Sequence, residues 1–242
     1  MTVLYTVSDQ KYLGLTLGLI KSVQENEPSI EKIVIGSIGL DKEAKILLAK
    51  EDKRVEIMTL DSVPESLNLH DGAWVERTKL KTKGLLALLE ANHRIVMIDS
   101  DCIILKPFLQ QLESVKKIGI CRRERPALRK DIRLDHIASF FLGEGPDAVM
   151  FVKTWIEIQN KLIISDLPPP YETPAMCRAI RMWFPNQLVD LDEGVYSKQH
   201  NFNDGTFIAH LKFNAIGSTG NLLQTRLGAL TSEDRKVVEG FY

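Results

Sequence analysis

The stretch RIVMIDSDCIIL, residues 94–105, places two carboxylates one residue apart inside an apolar run. Asp99 and Asp101 carry like charge, and burying such charge without a partner is costly. Side chains alternate along an extended strand, so both aspartates point to one side and Ser100 points away. A divalent cation joining the two carboxylates removes the penalty, and oxygen ligands suit Mg2+ or Mn2+. Such an ion keeps open positions for phosphate oxygens. The pair therefore predicts a metal and phosphate site. The plainer alternative is a loop with two solvated aspartates, one of them capping a turn.

The elements that must position this pair follow from periodicity. Val3 to Val7 reads as a strand, and Tyr12 to Val23 as a helix with Leu13, Leu17 and Ile20 on one side. Ile33 to Ile35 and Val55 to Met58 are further strands, with a helix from Lys42 to Lys50 that Asp41 can cap. Glu76 to Ala91 reads as a helix feeding Ile95 to Ile98, a continuous apolar strand of the kind buried on both faces of a parallel sheet. Strands alternating with helices predict an α/β wound sheet, and ligands of such sheets bind beyond the carboxyl ends of the strands. Asp99 stands where one strand should end.

The second half is less regular. Lys116 to Cys121 and Ile137 to Leu142 read as strands, and a helix lies within Asp147 to Ile164. Between them CRRERPALRKDIR forms a basic loop with Arg122, Arg123, Arg125, Arg129, Lys130 and Arg133. DLPPPYETP, 166–174, is too proline-rich for regular structure. Ala175 to Met182 reads as a helix and Ile208 to Phe213 as a late strand. A short helix follows Thr231, with Asp234 at a capping-box-like spacing.

The 242 residues are 44% hydrophobic and 26% charged, which suits one larger domain or two tightly joined halves with a full core. A formal net charge of -1 argues against a nucleic-acid partner. Cys102, Cys121 and Cys177 lie far apart and form no CxxC or Cys/His cluster, so the expectation is three buried thiols in a reducing cytosol and no zinc site. No run approaches a membrane span, and MTVLYTVSDQ lacks the basic and apolar regions of a secretory signal; a cytoplasmic protein is expected.

KTKGLLALLEANHRIVMIDSDCIILKPF, residues 81–108, resembles the segment of basic residue, helix, strand, DxD, strand and proline found in GT-A-fold glycosyltransferases. YTVSDQKYLGLTLGLIKSV, residues 5–23, is similar to their first strand and helix, and FIAHLKF, residues 207–213, to the late strand whose histidine completes the metal site. ASFFLG, residues 138–143, resembles the strand bearing the family's Asn-x-Gly element, but without that element; nor is the full His-x-x-Gly-x-x-Lys-Pro-Trp form present. By order of elements the resemblance spans about 80% of the chain, and only the DxD and His-x-Lys motifs are moderately specific.

The resemblance implies a single GT-A-like domain over 1–242, with a donor half to residue 105 and an acceptor half over 106–242. It implies transfer of a sugar from a nucleotide-sugar donor, a UDP-sugar by analogy, to a glycan or other hydroxyl acceptor. Asp99, Asp101 and His210 would be the metal ligands, and the imidazole tilts the choice toward Mn2+. Thr6, Val7 and Ser8 would hold base and ribose. Arg77, Lys81 and Lys212 would face the donor with Asp99 and Ser100; Arg77, Lys81 and Gly84 share one helix side. Glu172 and Asp192 are the candidate catalytic carboxylates, with Asp190 and Glu193 beside the latter. The basic loop would border the acceptor pocket and suit an anionic acceptor, and Trp74 could stack on a sugar or base.

Each assignment has a structural alternative. His210 could be a core histidine, Lys212 and the basic loop solvated charge, and Arg77 and Lys81 a solvated helix face. Thr6 and Ser8 suit turn chemistry, Asp9 and Glu172 suit helix N-termini, the 190s cluster suits a solvated turn, and Trp74 suits a packing anchor. Three other functions compete. A haloacid-dehalogenase-like phosphatase would use Asp99 as nucleophile, yet Ile103 stands where that pattern wants Thr or Val, and no later Gly-Asp-x-x-x-Asp occurs. A nucleotidyltransferase should open with a Gly-rich basic loop, which SDQKYLG is not. A non-catalytic nucleotide-sugar-binding module would bind donor and metal without turnover.

Overall fold

The structure, a computed structural model, describes residues 1–61, 72–91, 93–116, 118–123, 134–164, 172–183, 188–211 and 222–242. Its centre is a mixed sheet of seven strands: β1 (Thr2–Ser8), β2 (Lys32–Ser37), β3 (Val55–Thr59), β4 (Arg94–Ile98), β6 (Ile118–Arg122), β7 (His136–Gly143) and β8 (Leu188–Asp192). Their spatial order is β3-β2-β1-β4-β7-β6-β8. Pairing is parallel from β3 through β4, antiparallel on both sides of β7, and parallel again between β6 and β8. Six strands therefore end at one edge, where β7 begins. A separate two-stranded ribbon joins β5 (Cys102–Ile104) to β9 (Ile208–His210).

The apolar runs of the strands are explained by burial on both faces. Val3, Tyr5, Ile95 and Met97 pack on one side with α3 (Gly72–Glu90), α5 (Gly145–Ile164) and α6 (Glu172–Met182). Leu4, Ile33, Ile35, Val96 and Ile98 pack on the other with α1 (Leu13–Asn26) and α2 (Lys42–Glu51). A third cluster seals Ile103 and Ala209 of the ribbon under α8 (Leu222–Gly228) and α9 (Ser232–Val238). Two short helices, α4 (Leu109–Leu112) and α7 (Glu193–Tyr196), complete the α-helices among the described residues.

Local chemistry fixes several ends. Asp41 caps α2 by accepting from the Ala44 amide at 2.7 Å. Thr231 caps α9 by accepting from the Asp234 amide at 3.1 Å. The Asp234 carboxylate does not close a capping box; it accepts from the Asn201 and Phe202 amides at 2.9 and 2.7 Å and docks α9 onto that loop. Inside the sheet–helix layer, Gln159 bridges Thr82 and Thr78 at 3.0 and 3.1 Å, so this buried amide is satisfied.

Some expectations need correction. The proline-rich segment is not irregular to its end, because α6 starts at Glu172 and includes Pro174. Proline is tolerated there because the first-turn N–H groups have no intrahelical partner. The 190s cluster is not a turn, since Asp190 and Asp192 belong to edge strand β8. The late strand stops at His210, and residues 212–213 lie outside the described residues. Helix α8 was not foreseen.

Gly84 lets α3 approach β1. A β-carbon there would overlap the buried Tyr5 hydroxyl, which donates to the Lys81 carbonyl at 3.2 Å. Alanine would gain up to ~1 kcal/mol of helix propensity, but the overlap is expected to cost ~1–3 kcal/mol. Gly84→Ala should therefore lower the melting temperature by a few degrees in calorimetry. An unchanged or raised Tm would show that the helix does not sit this close to the strand.

Candidate active site

The two aspartates converge, but not by strand alternation. Strand β4 ends at Ile98, and the Cys102 amide donates to the Asp99 carbonyl at 3.1 Å, closing a tight turn over Asp99–Cys102. The Asp99 amide is tied to the Ser139 carbonyl at 3.2 Å, and the Asp101 carbonyl accepts from the Leu211 amide at 2.8 Å. In the ribbon Cys102 stands directly opposite His210. The His210 Nε2 consequently lies 3.3 Å from Asp101 Oδ1 and 3.6 Å from Asp99 Oδ2.

His210 is 1% exposed. Its Nδ1 meets the Ser197 hydroxyl at 2.9 Å, and Ser197 meets Ser139 at 2.7 Å, which fixes the ring. Its Nε2 is buried with no hydrogen-bond partner among the described residues. A buried imidazole nitrogen aimed at two carboxylates, with its other nitrogen oriented by a hydroxyl, fits a divalent cation. Asp101, Cys102 and His210 also offer ligand atoms within 4.8 Å of one another, so a Cys/His pair exists in space though not in the linear sequence. All three cysteines are buried and free. Burial pushes the Cys102 thiol well up, with Asp101 and Asp99 adding to it, and its side chain belongs to the apolar cluster beside α1.

Each aspartate is also held by a cation. The buried Lys81 ammonium pairs with Asp99 Oδ1, lies 2.8 Å from Glu172 Oε1 and donates to the Ala138 carbonyl at 3.1 Å. Burial alone would lower the Lys81 pKa, but the carboxylates of Asp99 and Glu172 outweigh it and hold it well above the usual lysine value. Glu172 is anchored through its backbone, since the Trp155 indole N–H donates to its carbonyl at 3.0 Å. On the far side Arg226 of α8 lies 3.5 Å from Asp101 Oδ2. It donates to the Leu211 carbonyl at 2.6 Å and stands 3.5 Å from the Tyr12 hydroxyl. Burial pushes the Tyr12 phenol up, and the Asp101 carboxylate pushes it further.

The end of β1 lies next to this cluster, because β1 and β4 are parallel neighbours. Thr6 Oγ1 is buried with no hydrogen-bond partner among the described residues, and Val7 is half-buried. The Ser8 hydroxyl is engaged with Thr16 at 2.7 Å. Asp9 caps the turn that opens α1, accepting from the Lys11 and Tyr12 amides at 2.9 and 3.1 Å. Arg77 pairs with that same Asp9 carboxylate and so is brought from α3 to the end of β1. Ser100 is buried within the turn.

The β6–β8 side carries a second group. Asp190 is 2.9 Å from both His136 Nε2 and Arg122 Nη1. Burial works to raise its pKa, but these two partners hold it below the usual carboxylate range. Asp192 accepts from the Gly194 amide at 2.8 Å and caps α7. Nothing described brings Asp192 to the Asp99–His210 cluster. Lys212, Arg125, Arg129, Lys130, Arg133 and the Trp74 side chain lie outside the described residues. Sequence reasoning missed Arg226, Ser197 and Trp155, which carry no motif, Ser139, which lies in ASFFLG but has no role assigned from it, and His136, the partner of Asp190; tertiary pairing alone gives them these contacts.

No family model and no curated protein sequence matches the chain. Solved structures do. An active-site mutant of LgtC aligns over 98% of this chain and 100% of its own, at 11% identity and a TM-score of 0.59. The galactosyltransferase LgtC bound to donor and acceptor sugar analogs gives 12% identity and a TM-score of 0.57 with the same coverage. The glycosyltransferase GlyE of Streptococcus pneumoniae gives 14% identity and a TM-score of 0.55, over 99% of this chain and 62% of GlyE. The chain thus has the fold of GT-A-type glycosyltransferases. Among the described residues no helix is long and apolar enough to cross a membrane.

Proposed function

We propose that this glycosyltransferase fold carries a divalent-metal-dependent sugar transferase, moving a sugar from a nucleoside-diphosphate-sugar to a hydroxyl acceptor. The observation that carries the reading is the buried, unbonded His210 Nε2 facing Asp99 and Asp101 at the carboxyl edge of the sheet. Asp99, Asp101 and His210 would hold Mn2+ or Mg2+. When bound, such an ion neutralises the diphosphate and stabilises it as a leaving group.

The chain's own residues then divide the remaining work. Lys81 stays protonated and fixes two carboxylates at once, Asp99 toward the ion and Glu172 toward the donor sugar. Glu172 is therefore favoured over Asp192 as the carboxylate facing the reacting sugar. Thr6, Val7 and Ser8 border the base and ribose; since the Ser8 hydroxyl is committed to Thr16, its contribution would come from the backbone. Arg77 shapes this end of the pocket through Asp9. Ser100 lines the donor site, Lys212 supplies a cation to the diphosphate, and UDP is the expected nucleotide. The donor half runs to residue 105, and 106–242 receives the acceptor, with Arg122 and Arg123 suiting an anionic one.

The test is turnover. The protein with Mn2+ is offered UDP- and GDP-sugars, with and without hydroxyl acceptors, and release of nucleoside diphosphate is followed. Release from one nucleotide class, accelerated by an acceptor, is expected. Binding without release would leave the non-catalytic module. Phosphate release from a simple phosphomonoester, without nucleotide turnover, would move the reading to an Asp99 phosphatase.

A further inference from the structure

Arg226 is a buried cation set directly behind a proposed metal ligand. It is 6% exposed, comes from α8, and has no counterpart in the motifs that mark the site. Its guanidinium lies 3.5 Å from Asp101 Oδ2, while the other oxygen of that carboxylate faces His210 Nε2 at 3.3 Å. One carboxylate is thus shared between a permanent cation and the position an ion would take. Arg226 is also fixed in place, by its bond to the Leu211 carbonyl at 2.6 Å and by the Tyr12 hydroxyl at 3.5 Å. Leu211 follows His210 directly, and its amide donates to the Asp101 carbonyl at 2.8 Å. The guanidinium therefore holds both sides of the site as well as its charge.

Arginine does not lose its proton in proteins, so this positive charge is present at every working pH. Within a few ångströms, in an environment of low effective dielectric, it repels a divalent cation and attracts a diphosphate. It also stands 3.5 Å from Oδ2 of Asp101, so its charge acts directly on the carboxylate an ion would use. We propose that Arg226 is a positioning residue that makes the site discriminate against a bare divalent cation and in favour of a cation that arrives with a nucleoside diphosphate. This rests on the metal–diphosphate reading above and adds to it a specific residue and a specific coupling.

The experiment titrates Mn2+ into the folded protein with and without UDP, reading free Mn2+ by electron paramagnetic resonance. The variants are Arg226→Met and Arg226→Lys. In the wild type UDP should tighten Mn2+ binding by at least tenfold. Arg226→Met should bind Mn2+ alone at least tenfold more tightly than the wild type, and UDP should then add less. Arg226→Lys keeps the charge and should stay near the wild type. If Arg226→Met does not unfold cooperatively, Arg226→Gln, which keeps a donor for the Leu211 carbonyl, makes the same comparison. Mn2+ affinity that is unchanged or weaker in the neutral variants, with Mn2+–UDP still bound by the wild type, overturns the role of Arg226 alone. A wild type that binds neither Mn2+ nor Mn2+–UDP overturns the underlying site.

Discussion

Asp101→Asn is expected to lose manganese-dependent nucleotide binding and to reduce sugar transfer by at least about a hundredfold. Replacing even an outer partner of a metal ligand typically costs 10–100-fold, and here the proposed ligand itself becomes a neutral amide. The same substitution should weaken the fold. Asp101 and Arg226 are both buried, and removing one partner of a buried pair leaves the other charge uncompensated, at ~3–5 kcal/mol. Arg226 keeps the Leu211 carbonyl, which favours the lower end of that range. At ~2–4 °C per kcal/mol for a chain of this size, Tm should fall by roughly 6–12 °C. Asp101→Asn combined with Arg226→Met should recover much of the lost stability without recovering nucleotide binding. Calorimetric unfolding and nucleotide titration of the two variants read these effects separately. A single variant as stable as the wild type would mean that Asp101 and Arg226 are not a coupled pair.

Lys81→Met is expected to be as damaging, for a different reason. It removes the ammonium that Asp99 and Glu172 share and leaves the Ala138 carbonyl without that donor. Asp99 then loses the contact that turns its other oxygen toward His210, and Glu172 loses its orientation. The expected loss is about 10²–10³-fold in kcat/KM, since misplacing reacting groups by an ångström costs on the order of a hundredfold. Lys81→Arg should retain an intermediate activity, because it keeps the charge but not the shape of the contact.

The pH dependence of Lys81 has a definite sign. Its folded-state pKa is raised, so its contribution to stability is fully present below the unfolded lysine value of about 10.4 and is lost only as pH rises through the folded value. The Tm difference between wild type and Lys81→Met should therefore be constant from about pH 6 to 9. A difference that closes within this range would show that Lys81 is not held protonated by its two carboxylates.

Much of this was legible in the linear chain. The apolar runs of β1, β2 and β4 have no polar alternation because both faces are covered, and that feature alone points to a wound sheet with helices on each side. Asp41 and Thr231 signalled helix starts through short-range capping, which is local chemistry. The shared helix side of Arg77, Lys81 and Gly84 is a local property too, whereas the choice of Lys81 as a donor-facing residue rests on the resemblance to GT-A enzymes. The convergence of Asp99 and Asp101 on one point was anticipated for the wrong cause, a strand pleat where the structure has a turn.

What was not legible depends on partners distant in sequence. Strands β5 and β9 have three residues each, too short for any periodicity to fix their register, yet their register sets Cys102 against His210. A linear search for Cys/His clusters therefore missed the pair. Helix α8 carries its arginine as an ordinary last-turn cation, and only the third apolar cluster turns it inward to Asp101. The anchoring of Glu172 by Trp155 joins α5 to the start of α6 and has no local signature. Strand β8 was hidden by its charges, which suit a half-covered edge as well as a turn.

The most direct test of the central claim is a calorimetric titration of UDP and of GDP into the wild-type protein, with and without Mn2+. UDP is expected to bind when Mn2+ is present, removing the ion with a chelator should abolish the heat, and GDP should be discriminated against. Binding that is indifferent to the metal, or no binding of either nucleotide, would contradict an Asp99–Asp101–His210 centre that receives a metal-bound diphosphate.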